Sequence, residues 1–219
     1  MRSGFIYNPP QHPLNIIFED YDLIVVDKPA GLLSVMGRLP EHRDSAYLRV
    51  LTMYPEARVT HRLDMATSGL LMFAKYRDAE VAMSKLFQLR RIKKEYTALV
   101  QGCPDEQGCI EAPLITDWPN RPKQKIDFET GKSAKTLYAR LEYCALTQQS
   151  RMWLEPVTGR SHQLRVHLMH IGHPILGDKL YHPQPQNFAL GRMALHATHL
   201  SLAHPITGLA LELSSTVPF

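Results

Sequence analysis

The stretch HRLDMATSGL, His61 to Leu70, sets an arginine and an aspartate on either side of one leucine, just ahead of a Thr67-Ser68-Gly69 turn, with apolar runs on both flanks. A carboxylate can attack a carbon centre, accept a proton or stabilise developing positive charge. To act it must be ionised and aimed, and a guanidinium within reach supplies both conditions. Alternate side chains of an extended segment share a face, so Arg62 and Asp64 can pair or can both face a ligand. The plain alternative is a turn aspartate that binds nearby backbone amides.

Three further groups have the chemistry to join such a site. Arg165, in TGRSHQLRVH, falls about 90° from the centre of the stripe formed by Leu164, Leu168 and Ile171. That is the border of a core, where an arginine is half buried and needs a partner. Arg90, Arg91, Lys93 and Lys94 form a basic block that feeds a strand beginning near Tyr96. A second basic stretch, Arg121, Lys123, Lys125, Lys132 and Lys135, surrounds a polar loop. Basic blocks interleaved with aromatics suit a polyanion such as RNA, although a solvated helix end reads the same way. His167, His170 and His173 recur every third residue, but these positions drift around a helix and no cysteine or carboxylate cluster completes a metal site. No phosphate-cradling glycine loop and no Gly-x-Ser-x-Gly elbow is present.

The elements that must hold these groups are mostly strands. NIIFEDYDLIVVDKPAG predicts two strands joined at Asp20–Asp22, and RDSAYLRVLTMY a helix capped by Asp44 or Ser45 and stopped by Pro55. EARVTH and GLLMFAK flank the Asp64 motif as strands. RDAEVAMSKLFQLRRI is an amphipathic helix, followed by the strands KEYTALVQG and CIEAPLI. Residues 117–133 read as a polar loop, and KTLYARLEYC and RMWLEPV as alternating strands. TGRSHQLRVHLMHIG is helical in pattern, with Ser161 or Thr158 as cap and Gly172 as stop, and the tail folds as a hairpin around Pro205–Gly208. The expected fold is α+β: a mixed, largely antiparallel sheet with flanking helices and loops. Residues 1–15 read as an N-terminal arm and 16–219 as the catalytic domain. With 219 residues, 44% hydrophobic, the chain can bury a substantial core. It has no run of eighteen apolar residues and no secretory leader pattern. Three cysteines at no metal-like spacing suit a reduced, cytoplasmic setting, and a net charge of +4 is compatible with a polyanionic partner.

Taken in order, DKPAGLLSV, HRLDMATSGL, KEYTALVQG and TGRSHQLRVHLMHIGHPILGD resemble the RluA-type pseudouridine synthases, from about Ile16 to the C-terminus. The resemblance implies a sheet split into two subdomains with an RNA cleft between them, and conversion of uridine to 5-ribosyluracil without cofactor or metal. It puts the catalytic aspartate on Asp64, the active-site tyrosine on Tyr96 and the basic partner on Arg165. Arg62 would fill the gap left by a flipped base. His61, Arg90, Arg91, Lys93, Lys94, Arg121, Lys123 and Lys125 are the expected RNA contacts. The implied partners are ribosomal RNA and tRNA stem-loops, with no membrane and no obligatory protein partner, and the expected state is a monomer. Ser161 and Leu164 depart conservatively from the Thr and Ile common in the third motif. The resemblance starts at about Ile16, so the S4 module that many members carry is not expected ahead of the domain, and substrate choice is expected to come from the domain's own loops. Two rival readings are a non-catalytic RNA-binding domain and a metal-dependent hydrolase built on the histidines.

Overall fold

The computed structural model describes residues 6–184 and 191–219. Ten strands form one sheet, whose main path runs β1-β2-β4-β11-β5-β10-β9-β6. In chain order the elements are β1 (Asn15–Glu19), β2 (Leu23–Lys28), α1 (Ala46–Met53), β3 (Arg58–Val59), β4 (Ser68–Ala74), α2 (Arg77–Gln88), β5 (Lys93–Gln101), β6 (Gln107–Glu111), β7 (Leu114–Thr116), β8 (Gln124–Ile126), β9 (Lys135–Cys144), β10 (Gln149–Pro156), α3 (Gln163–His170), β11 (Leu195–Ala203) and β12 (Ala210–Ser214). Pairing is antiparallel in the main sheet except between β11 and β4, and β7 and β8 form a separate ribbon. The α+β architecture is therefore as the sequence implies. No helix among the described residues is long and apolar enough to cross a membrane.

The sheet has two halves that meet at β11. In the first half β4 is buried along all seven residues, because each of its faces is covered. Leu70 and Met72 pack with Leu23, Val25 and the α2 residues Ala79 and Met83. Leu71 and Phe73 pack on the other face with Ile24, Val26 and the α1 residues Ala46 and Val50. In the second half β5 and β10 pack through Ala98, Val100, Met152 and Leu154 against Leu164 and Leu168 of α3. The expected N-terminal arm lies partly outside the described residues. From Tyr7 on it is pinned to α1: the Tyr7 hydroxyl donates to the Asp44 carbonyl, and Arg49 donates to the carbonyls of Pro10 and His12.

Several elements differ from the sequence expectation, each for a local reason. EARVTH yields only the two-residue β3, because Thr60 and His61 bind β4 with their side chains. The Thr60 hydroxyl donates to the Met72 carbonyl (2.6 Å), and His61 Nε2 accepts the Met72 amide (3.1 Å). The backbone thus peels away from the sheet toward Asp64. CIEAPLI is split at Pro113, which has no amide to give to a ladder. The polar loop 117–133 contains β8 and a short 3-10 turn at Trp118–Asn120. α2 ends at Gln88, and Arg90 takes a left-handed backbone (φ 54°), so the basic block lies beyond the helix. α1 is capped by Ser45, whose hydroxyl accepts the Leu48 amide. α3 has no side-chain cap; His162 precedes it in a left-handed conformation, while Ser161 is exposed.

Candidate active site

Asp64 sits on a turn that the first half of the sheet holds from beneath. Its own carbonyl accepts the Thr67 amide (3.1 Å), and the Gly31 amide donates to Met65 (2.8 Å). The Ser34 hydroxyl donates to the Leu63 carbonyl (2.6 Å) and accepts the Leu63 amide (3.0 Å). Lys28 is fully buried and donates to the carbonyls of Pro29, Leu32 and Met65. Burial lowers its pKa to about 7, a depression that the nearby Asp64 opposes. Between them, Leu63 plugs into the core. The residues 28–34 and 61–69, which look in sequence like two separate turns, are one clamp with Asp64 at its rim.

The second half of the sheet brings the partner. Arg165, on the first turn of α3, donates from Nη1 to Asp64 Oδ2 at 3.0 Å. The expectation of a half-buried arginine at a core border is corrected here: Arg165 is 4% exposed, because six of the eight residues of α3 are buried. What makes this tolerable is Asp178. Its two oxygens accept from Arg165 Nε (2.7 Å) and Nη2 (2.8 Å), a planar two-point contact. Burial opposes the guanidinium's charge, and the two carboxylates more than offset it, so its pKa stands above the free value. The Tyr181 ring lies 5.0 Å from the guanidinium carbon. Tyr96, on β5, faces the same space. Burial, and then the charge of Asp64, push its phenol well above the ordinary range, so it is a protonated hydroxyl on an aromatic plate.

Asp64, Tyr96, Arg165, Arg62, Lys94 and Arg121 line one cleft of about 700 Å³. Arg62 is exposed and, like Asp64, faces that space. Arg121 stacks on Trp118 at 4.5 Å. His61 also lines the cleft, but its Nε2 is committed to β4 and burial drops its pKa to about 3, so it is a neutral structural group. Arg90, Arg91 and Lys93 line an adjoining groove of about 750 Å³ that shares Lys94 and Arg160 with the cleft. Lys93 there is paired with Glu95 at 2.7 Å. Lys123 and Lys125 lie on a third, smaller hollow beside β8, and the structure does not bring them to Asp64. The histidines at three-residue spacing diverge: both ring nitrogens of His167 are bonded in the core, to Thr136 and Ala112, His170 is exposed, and His173 binds the Gln101 carbonyl.

Two residues at the site lie in the TGRSHQLRVHLMHIGHPILGD motif but were given no role from the sequence. Asp178 follows Gly177 at the end of that motif, and it also holds backbone, since Oδ1 accepts the amides of Leu180 and Tyr181. His162 is the other, with Nε2 at 3.9 Å from Asp64 Oδ2. Nothing in the helical periodicity singles it out, because it lies one residue before α3.

Comparison with known proteins points one way. The model of the RNA pseudouridylate synthase family matches residues 22–170. The chain is 48% identical over 215 residues to the dual-specificity RNA pseudouridine synthase RluA of Escherichia coli (strain K12), covering 97% of this chain and 98% of that one. It is 50% identical over 205 residues to the protein of the same name from Salmonella typhimurium (strain LT2), covering 92% and 93%. Among solved structures, human RNA pseudouridylate synthase domain containing 1 aligns with a TM-score of 0.77 at 29% identity, over 100% of this chain and 87% of that one. Human RNA pseudouridylate synthase domain containing 4 aligns at 0.74 and 26% identity, over 93% and 88%.

Proposed function

The chain belongs to the RNA pseudouridylate synthase family and is an RluA-type pseudouridine synthase, and from that premise we propose that it isomerises uridines in stem-loops of large-subunit ribosomal RNA and in the tRNA anticodon stem-loop, with Asp64 as the reacting group. The reading of the site rests on one observation above the rest: a carboxylate at the rim of a cation-lined cleft, held by a buried arginine that is itself neutralised from behind by Asp178.

The chemistry is an exchange within one nucleotide. The C1′–N1 bond breaks, the uracil turns, and C1′ bonds to C5, while C5 loses a proton and N1 gains one. No electrons are gained or lost overall, so a carboxylate and a confined base are enough. The target must first leave its stack, which costs a few kcal/mol and is cheapest in loops. Arg62, exposed beside Asp64, is placed to stack in the space the base vacates. Arg165 fixes the rotamer of Asp64 across the junction of the two halves. Tyr96 offers its ring to the loosened uracil. Burial and the charge of Asp64 raise its phenol pKa, so the plate carries a protonated hydroxyl before substrate binds. Lys94, Arg121, Arg90 and Arg91 are placed to meet phosphates on either side.

The decisive variant is Asp64→Asn, which preserves shape and removes the charge. It is expected to bind a target stem-loop as the wild type does and to form no pseudouridine, scored by carbodiimide labelling and primer extension. Substantial residual pseudouridine would remove Asp64 from the reaction. Mapping pseudouridines in total RNA from cells with and without the protein tests the substrate assignment.

A further inference from the structure

Among the described residues, the contacts of Arg165 and His162 to Asp64 both fall on Oδ2. Arg165 Nη1 lies 3.0 Å from Oδ2, and His162 Nε2 lies 3.9 Å from that same atom. What His162 presents to Asp64 follows from its other nitrogen. Nδ1 lies 2.7 Å from the Tyr181 hydroxyl, and that hydroxyl also accepts the Gln124 amide at 2.7 Å. Tyr181 is buried, and among the described residues its hydroxyl proton has no acceptor other than His162 Nδ1. The phenol therefore donates to Nδ1, and the ring proton sits on Nε2, the nitrogen that faces Asp64.

The backbone agrees with a purpose for this arrangement. His162 is one of three described non-glycine residues with positive φ (54°), and this conformation brings the ring to the cleft ahead of α3. Strain of this kind concentrates where a side chain must be aimed. The groups that face the ring are Asp64 from its turn, Arg165 from α3, and Asp178 and Tyr181 from the loop after α3. Burial holds the imidazole below its ordinary pKa against the pull of Asp64, and Arg165 adds to that effect. The group beside Asp64 is thus a neutral N–H donor.

We propose that His162, locked in its Nε2–H form by Tyr181, is a positioning residue that joins Arg165 on Oδ2 of Asp64 when RNA is bound, so that Oδ1 is the oxygen that reacts. The 3.9 Å separation is about 1 Å longer than a hydrogen bond, and catalytic hydrogen bonds are commonly long before substrate binds. Two donors on one oxygen fix the carboxylate plane, which a single donor leaves free to swing. The proposal also ties the site to the β7–β8 ribbon. Gln124 of β8 feeds the Tyr181 hydroxyl, and the preceding turn carries Arg121, which lines the cleft and stacks on Trp118. It rests on the reading of Asp64 as the reacting group.

The test uses the full-length protein and a stem-loop transcript with tritium at uridine C5, with tritium release as the readout. His162→Ala is expected to lower kcat by about 10- to 100-fold, the scale of a misaligned reacting group, with KM little changed. His162→Gln, which restores an N–H donor, is expected to recover part of that loss. Tyr181→Phe is expected to keep much of the activity near pH 8 and to move the acid limb of the kcat profile to higher pH. Its freed Nδ1 can take up a proton and place a cation against Asp64. A wild-type kcat in both His162 variants, a loss confined to KM, or a Tyr181→Phe profile that superimposes on the wild type would each overturn the proposal. If His162→Ala does not fold, judged by its melting curve, His162→Gln and Tyr181→Phe decide by the same readouts. A wild-type enzyme that releases no tritium, or an Asp64→Asn variant that still does, would instead count against the underlying reading of the site.

Discussion

Arg165 carries a carboxylate on each side, and the two do different work. Asp178 meets it with two hydrogen bonds in the interior, and Asp64 with one at the cleft. A buried ion pair adds little net stability, but breaking one by removing a single partner typically costs about 3–5 kcal/mol, because the other charge is left without compensation. Arg165 keeps Asp64 as a partner when Asp178 is replaced, so Asp178→Asn should lose part of that stability, about 1–3 kcal/mol, in urea unfolding. It should also lower kcat, because a guanidinium freed from behind no longer presents Nη1 to Asp64. An unchanged unfolding midpoint would show that the pair is dispensable. Asp64, Tyr96 and Arg165 were picked out by the motifs that carry the family resemblance, since local pattern alone reads equally as a turn aspartate and a core-border arginine, and the structure brings the three to one cleft. Asp178 and His162 lie in the same motif as Arg165, yet their roles were not read from it. One acts across a 13-residue separation, and the other through a left-handed backbone angle, and neither leaves a trace in residue spacing.

The strand that follows Asp64 sets how closely the two halves of the sheet approach. β4 runs parallel to β11, with Gly69 opposite Ala197. Gly69 has φ 108°, and a methyl group there would lie 2.3 Å from the Ala197 carbonyl oxygen and 2.6 Å from its amide nitrogen. The backbones touch because nothing stands between them. Gly69→Ala should cost about 3 kcal/mol or more, through overlap and an unfavourable backbone angle together. It should also lower kcat at temperatures where the fold is intact, since Asp64 lies five residues upstream on the same rigid run. A melting curve and a rate measured well below the midpoint separate the two effects. At this scale the sequence was a fair guide wherever alternation or capping signalled an element, as in β1, β2, β10 and α1. It failed where a side chain replaced a backbone ladder, as Thr60 and His61 do on β4, and where Pro113 cut a strand that composition made continuous.

Across the molecule the net charge is only +4, yet the cations are not spread evenly. Arg62, Lys94, Arg121 and Arg165 line the cleft, and Arg90, Arg91 and Lys93 the groove beside it. If Arg90 and Arg91 each displace a counterion from RNA, replacing both with alanine reduces the slope of log affinity against log salt by about 1.4–1.8. Titrating a labelled stem-loop at several salt concentrations measures this directly, and an unchanged slope would place the RNA elsewhere. Charge of this kind is visible in a sequence only as blocks. The fold decides which blocks converge, and it leaves Lys123 and Lys125 on a different surface.

The position of β11 has a mechanical meaning. It is hydrogen-bonded to β4, which carries the Asp64 turn, and to β5, which carries Tyr96. The two walls of the cleft are therefore stitched through a common strand rather than joined by a flexible connector. A protein built this way has little give to offer, so the deformation needed for a fit falls on the nucleic acid. Two RNAs with the same bases around a uridine would then differ as substrates according to how readily each yields. The enzyme would choose its targets partly by their softness, and a loop that bends at low cost would be modified where the same letters in a firm duplex are passed over.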